Sequence, residues 1–198
     1  MKRFIKICGL RDRESVTAAV EAGADAVGFV FADSVRKVSP DEANVAARGV
    51  PGNVMRVAVM RHPSNDNWQT VLEAFEPDVL QTDIEDFDSL DVPEDILAWP
   101  VIRESSVAAS GALPDVFVYE GRNSGMGETV DWSRAAHMAE RGRMILAGGL
   151  AADNVAAAMK NVRPWGVDVS SGVESGPGKK DVKLIRQFIV AARAAESD

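Results

Sequence analysis

With 198 residues, 46% of them apolar, the chain has the length of one domain and enough hydrophobic material for a core without covalent staples. Its single cysteine excludes an intrachain disulfide, and a net charge of −8 argues against nucleic acid as a partner while leaving room for a small anionic ligand held by local donors. No signal peptide follows the Met-Lys-Arg-Phe start and no run reaches the roughly 18 apolar residues of a membrane span, so a cytoplasmic protein with no membrane partner is expected.

The first strand is read in Arg3–Leu10, an apolar, β-branched run ended by Gly9-Leu10. Strand side chains alternate faces, so Phe4, Lys6 and Cys8 share one face and Ile5 and Ile7 the other. A helix is predicted over Asp12–Glu21, with Asp12 as N-cap and Gly23 where a left-handed C-cap belongs. Ala24–Phe31 is continuously apolar, as in a strand covered on both faces. Ser39-Pro40 opens the second helix. Val54–Met60 is the third strand, Ser64–Phe75 the third helix, and Val79–Gln81 a short fourth strand.

The middle of the chain is weaker in pattern. Asp83–Trp99 is acidic and broken by Pro93, Pro100 precedes only the short run Val101-Ile102, and Ser105–Pro114 is small and polar where a helix belongs. The pattern returns with strands at Val116–Glu120, Met144–Ala147 and Val167–Val169, and helices at Asp131–Arg141, Ala152–Met159 and Asp181–Ala195. Eight strands in repeated βα units predict an α/β fold, a (β/α)8 TIM barrel over residues 1–198, with short or irregular helices around strands 4 and 5. An open doubly wound sheet is the alternative, but Gly9-Leu10-Arg11 is no dinucleotide fingerprint.

In a barrel, chemistry sits at the carboxyl ends of the strands. Cys8 ends the first, either as a small buried hydrophobe or as a reactive thiol whose thiolate Lys6 stabilises. Lys6 could equally pair with Asp168 across the closed barrel. Arg36, in the loop after strand 2, has a planar fork suited to a carboxylate, or is a solvated surface arginine. Gln81 and Glu120 end strands 4 and 6 facing the interior, and Glu120 leads into the Gly-rich stretch Gly121–Gly127, expected to be mobile and able to close over a ligand. Gly148-Gly149 after strand 7 and Ser170-Ser171-Gly172 after strand 8 are small-residue loops where barrels bind phosphate, and Asp168 can accept from sugar hydroxyls. His62 and His137 lack ligand spacing, and neither a metal nor an organic cofactor is expected.

Taken together, these residues resemble the phosphoribosylanthranilate isomerase family, a barrel enzyme of tryptophan biosynthesis. The likeness rests on Lys6-Ile7-Cys8-Gly9-Leu10, Gly23–Phe31, Arg36 with Ser39-Pro40, and Ser124–Gly127 before Val130-Asp131-Trp132. It continues through Ala147–Leu150 with Asp153-Asn154, Asp168–Glu174 and Pro177–Asp181. The resemblance implies an Amadori rearrangement of N-(5-phosphoribosyl)anthranilate, with Cys8 as general base at ribose C2 and an aspartate at the end of strand 6 as general acid. It further implies that Arg36 holds the anthranilate carboxylate, Asp168 the ribose hydroxyls, and the two small-residue loops the phosphate. Counting back from Asp131-Trp132, the acid falls on Glu120, one methylene longer than the family's aspartate; Met126, at an often small position, is a lesser departure. Two alternatives stay open: the related histidine-pathway sugar isomerase, alone or as a dual activity, and a non-catalytic barrel that binds a phosphorylated metabolite. The expected partner is a phosphorylated small molecule, and the expected state a monomer.

Overall fold

Alternation along each strand sorts the residues of this protein into two environments. The computed structural model describes residues 2–105, 113–121 and 129–196. Within them, eight parallel strands close into a barrel: β1 (Phe4–Cys8), β2 (Ala26–Val30), β3 (Met55–Val59), β4 (Val79–Asp83), β5 (Leu97–Arg103), β6 (Val116–Glu120), β7 (Arg143–Leu146) and β8 (Gly166–Val169). Closure is made by β1 against β8, with Lys6 opposite Asp168. Ile5, Ile7, Val27, Phe29, Leu80, Phe117 and Val167 point outward into the layer shared with the helices. Ala26, Val57, Val79, Trp99, Val118 and Ile145 point inward and fill the barrel. At the amino-terminal end of that interior, the Phe4 ring stacks on Trp165 with centroids 4.8 Å apart and meets Trp99 edge-on at 5.4 Å.

Among the described residues six helices cover the barrel: α1 (Arg13–Ala22), α2 (Pro40–Ala47), α3 (Asn65–Phe75), α4 (Trp132–Ala139), α5 (Val155–Val162) and α6 (Val182–Ala194). Their ends follow local chemistry. Asp12 accepts from the Ser15 amide, and Gly23 closes α1 at φ 97°. Ser39 and Glu42 form a reciprocal capping box with Pro40 in the first turn of α2. None of the described helices is long and apolar enough to cross a membrane.

The irregular sector lies where the sequence thins. A 3-10 turn, Ile84–Ser89, replaces the helix after β4. Here Asp86 accepts from the Thr82 hydroxyl and the His62 amide, local bonds that compete with a helix. The fifth strand is longer than the Val101-Ile102 run implied, because β5 pairs with β4 through Leu97–Val101 and with β6 through Val101–Arg103 despite Pro100. An unforeseen hairpin, β9 (Glu174–Gly176) with β10 (Lys179–Lys180), follows β8. Residues 106–112, in the expected irregular stretch, and the Gly-rich segment from Arg122 to Gly127, with its Ser124–Gly127 motif, lie outside the described residues.

Candidate active site

Cys8, Arg103 and Glu120 at strand ends, Gln81 and Asp168 within β4 and β8, and Ser170 just after β8 line one cavity at the carboxyl end of the barrel. Arg36, Gly148, Gly149 and Ser171 complete its wall from the loops. Of the site residues expected from sequence, Gly172 alone is not on that wall. A Cβ there would stand 1.9 Å from the Leu150 carbonyl oxygen, so glycine lets the loop after β8 lie directly on the loop after β7.

The floor is an ion pair. Lys6 is fully buried, and its Nζ lies 2.8 Å from Asp168 Oδ2. Gly28 on β2 makes the space: a Cβ there would meet Lys6 Cε at 3.1 Å and Cys8 Sγ at 3.2 Å. Burial alone would pull the Lys6 pKa down, but Asp168 and Cys8 beside it reverse that and push it up to about 12. For Cys8 the balance runs the other way. Burial pushes the thiol up, Asp168 adds to this, and Lys6 and Lys180 only partly oppose it. Lys6 does attract the thiolate, as expected, but it does not win: the resting thiol titrates above the ordinary range. Asp168 Oδ1 and Gln81 Oε1 are buried without a hydrogen-bond partner among the described residues, an arrangement that calls for hydroxyl or N–H donors on a ligand.

The rim above β8 is built by the hairpin. Glu174 takes Arg36 bidentately, Nε to Oε1 at 2.7 Å and Nη2 to Oε2 at 2.9 Å. Lys180 Nζ donates to Glu174 Oε1 at 2.8 Å and to the Ser170 carbonyl at 2.8 Å. Burial favours the neutral form of Glu174, but the hydrogen bonds from Arg36 and Lys180 outweigh it and hold its pKa low. On the other side, Gly148 and Gly149 take left-handed φ of 94° and 60°. Asn154 braces that turn, donating to the Gly149 carbonyl at 2.8 Å and accepting from the Ala151 amide at 2.9 Å.

The wall formed by β4, β5 and β6 carries charges absent from the expected site. Arg103 Nη2 lies 2.7 Å from Asp83 Oδ1, and Arg103 Nη1 lies 3.5 Å from Glu120 Oε2. Both residues were legible in principle, since Asp83 and Arg103 follow the inward Gln81 and Val101 by two positions. Among the described residues, His62, Asp83 and Asp86 bring donor atoms within 4.8 Å of one another. Arg103 already neutralises Asp83, and Thr82 and His62 engage Asp86, so no metal is assigned there.

A family model described as N-(5'-phosphoribosyl)anthranilate (PRA) isomerase matches residues 5–191. The chain belongs to the phosphoribosylanthranilate isomerase family. The family enzyme of Pelobacter propionicus is 36% identical over 204 residues, covering 98% of this chain and 97% of its own. The crystal structure of the Thermotoga maritima enzyme superimposes with a TM-score of 0.83 at 30% identity, covering 98% of this chain and all of the other. A further phosphoribosylanthranilate isomerase structure matches at TM-score 0.80 and 31% identity, with 98% and 100% coverage; it holds reduced 1-(o-carboxyphenylamino)-1-deoxyribulose 5-phosphate. The protein is thus an isomerase of tryptophan biosynthesis, and its reaction is an Amadori rearrangement.

Two outcomes follow from the floor of this isomerase site. Lys6→Met leaves Asp168 buried and uncompensated, and should lower unfolding stability by about 3–5 kcal/mol in urea titrations. Because the folded Lys6 pKa of about 12 exceeds the ordinary 10.5, the wild-type contribution is complete below pH 10.5 and disappears as pH rises through 12. Alkylation of Cys8 in the ligand-free protein should titrate at higher pH than free cysteine; a midpoint at or below that of free cysteine contradicts the buried, Asp168-flanked environment.

Proposed function

We propose that the chain works as one barrel domain in which Cys8 is the general base and Glu120 the general acid. The substrate is N-(5′-phosphoribosyl)anthranilate, and the product 1-(2-carboxyphenylamino)-1-deoxyribulose 5-phosphate. The observation that carries this reading is that a thiol and a carboxylate from strands on different sides of the barrel open into one cavity, whose other walls present Arg36 and the two small-residue loops. Glu120 protonates the ring oxygen as the furanose opens, and Cys8 takes the proton from C2 of the resulting imine. Asp168, anchored by Lys6, and Gln81 accept from ribose hydroxyls through their unpartnered oxygens. Backbone N–H groups around Gly148-Gly149 and Ser170–Gly172 receive the phosphate, and Arg36, oriented by Glu174, faces the anthranilate carboxylate.

These roles need a thiolate and a carboxylic acid, whereas burial keeps the resting thiol protonated. Moving one proton from Cys8 to Glu120 supplies both reactive forms at once without changing the total charge. Desolvation of the closed complex therefore does not oppose that exchange as it would oppose net ionisation. The same reading includes a cytoplasmic monomer that needs no cofactor.

Cys8→Ala and Glu120→Gln should each reduce kcat by about 10²–10⁴-fold. Both should still bind the reduced product analogue within a few-fold of wild type by calorimetry, and fail to complement a strain lacking the isomerase. Near-normal turnover by Glu120→Gln would reassign the acid.

A further inference from the structure

We infer that Arg103 is the positioning residue for Glu120, and that Asp83 is the anchor that holds Arg103 in place. This rests on the reading of Glu120 as the acid. Glutamate has one more rotatable bond than the aspartate of the family pattern, so its carboxyl needs an additional restraint to stay in one place. The β5–β6 register supplies one, because Arg103 lies directly opposite Glu120 on the inward face. The two approach to 3.5 Å, Nη1 to Oε2. Another nitrogen of the same guanidinium, Nη2, lies 2.7 Å from Asp83 Oδ1.

Three adjacent strand ends thus present a row of charges, negative on β4, positive on β5 and negative on β6. The Asp83, Arg103 and Glu120 side chains are 2%, 15% and 14% exposed, so the row is largely withdrawn from solvent. On its far side Asp83 Oδ2 faces His62 Nε2 at 3.5 Å and Arg61 Nε at 3.9 Å, charge contacts that make no hydrogen bond. It is also absent from the cavity wall, so it acts on the acid only through Arg103. A planar guanidinium can address two carboxylates with two nitrogens in fixed relation, which the single ammonium of lysine cannot do. Asp83 offsets the charge of Arg103, so that Glu120 feels a short-range charge contact at 3.5 Å in place of an uncompensated cation.

The test is kinetic and uses the full chain. Arg103→Met should lower kcat about 100-fold with KM within about threefold, the scale expected when a reacting group is displaced by about 1 Å. Arg103→Lys, which keeps a cation beside Asp83 and so preserves folding, should recover part of that loss. Asp83→Asn should also lower kcat with KM unchanged. In the Glu120→Gln background, adding Arg103→Met should reduce the residual activity by less than about twofold, because nothing is left to position. A loss carried in KM would assign Arg103 to substrate binding and overturn the inference. So would an Arg103→Met penalty that persists undiminished in the Glu120→Gln background. Near-normal turnover in Glu120→Gln alone removes the acid assignment itself, an outcome distinct from both of these.

Discussion

The buried contact between Lys6 and Asp168 is the constraint on which the rest of the molecule depends. It joins the first strand to the last at the seam where the barrel closes. Two opposite charges at adjacent inward positions make other pairings of these strands costly, since a slip of one strand by one residue would turn its charge toward the helices and leave the other buried without a partner. Such a pair adds little stability over a well-packed apolar alternative, but breaking it is expensive. Its value lies in what it directs. It turns one oxygen of Asp168 toward the cavity, sets a cation beside Cys8, and leaves little room for a side chain at position 28, where glycine stands.

Around that seam the charged residues divide into two networks. One pairs Lys6 with Asp168 beside Cys8, below a rim made by Lys180, Glu174 and Arg36. The other runs across β4, β5 and β6 through Asp83, Arg103 and Glu120. The division lets the environments of Cys8 and Glu120, the proposed base and acid, differ within one cavity. The cavity wall is also balanced in charge, Arg36, Arg61 and Arg103 against Asp33, Glu120 and Asp168, so the acidic excess of a chain of net charge −8 lies away from the site and the left-handed Gly148 and Gly149 face an anion without it.

Strand parity made much of this legible in the amino-acid sequence. Phe4, Lys6 and Cys8 share the inward face as alternation requires, and the small-residue loops stand after strands 7 and 8. What stayed hidden has physical causes. Pro100 interrupts an apolar run, so β5 looked two residues long and Arg103 seemed to lie beyond it. The expected fourth strand likewise stops at Gln81, so that Asp83, which ends β4, is read as the start of the acidic stretch that follows. The hairpin that brings Glu174 and Lys180 over the site is held by a few backbone pairs and by charge contacts between residues far apart in sequence, such as Arg36 and Glu174, and no periodicity records those. For Cys8, the neighbouring lysine and Asp168 as that lysine's alternative partner are both visible in the sequence, whereas the loss of solvent that pushes the thiol up is not.

The confinement of Cys8 has a consequence beyond proton transfer. A thiol kept neutral and enclosed is a slow nucleophile toward peroxide and toward other disulfides, because both reactions proceed through an accessible thiolate. With no second cysteine in the chain to resolve a sulfenic acid, oxidation at this position would have no internal route of repair. The burial that keeps the thiol neutral is therefore also its protection against oxidation.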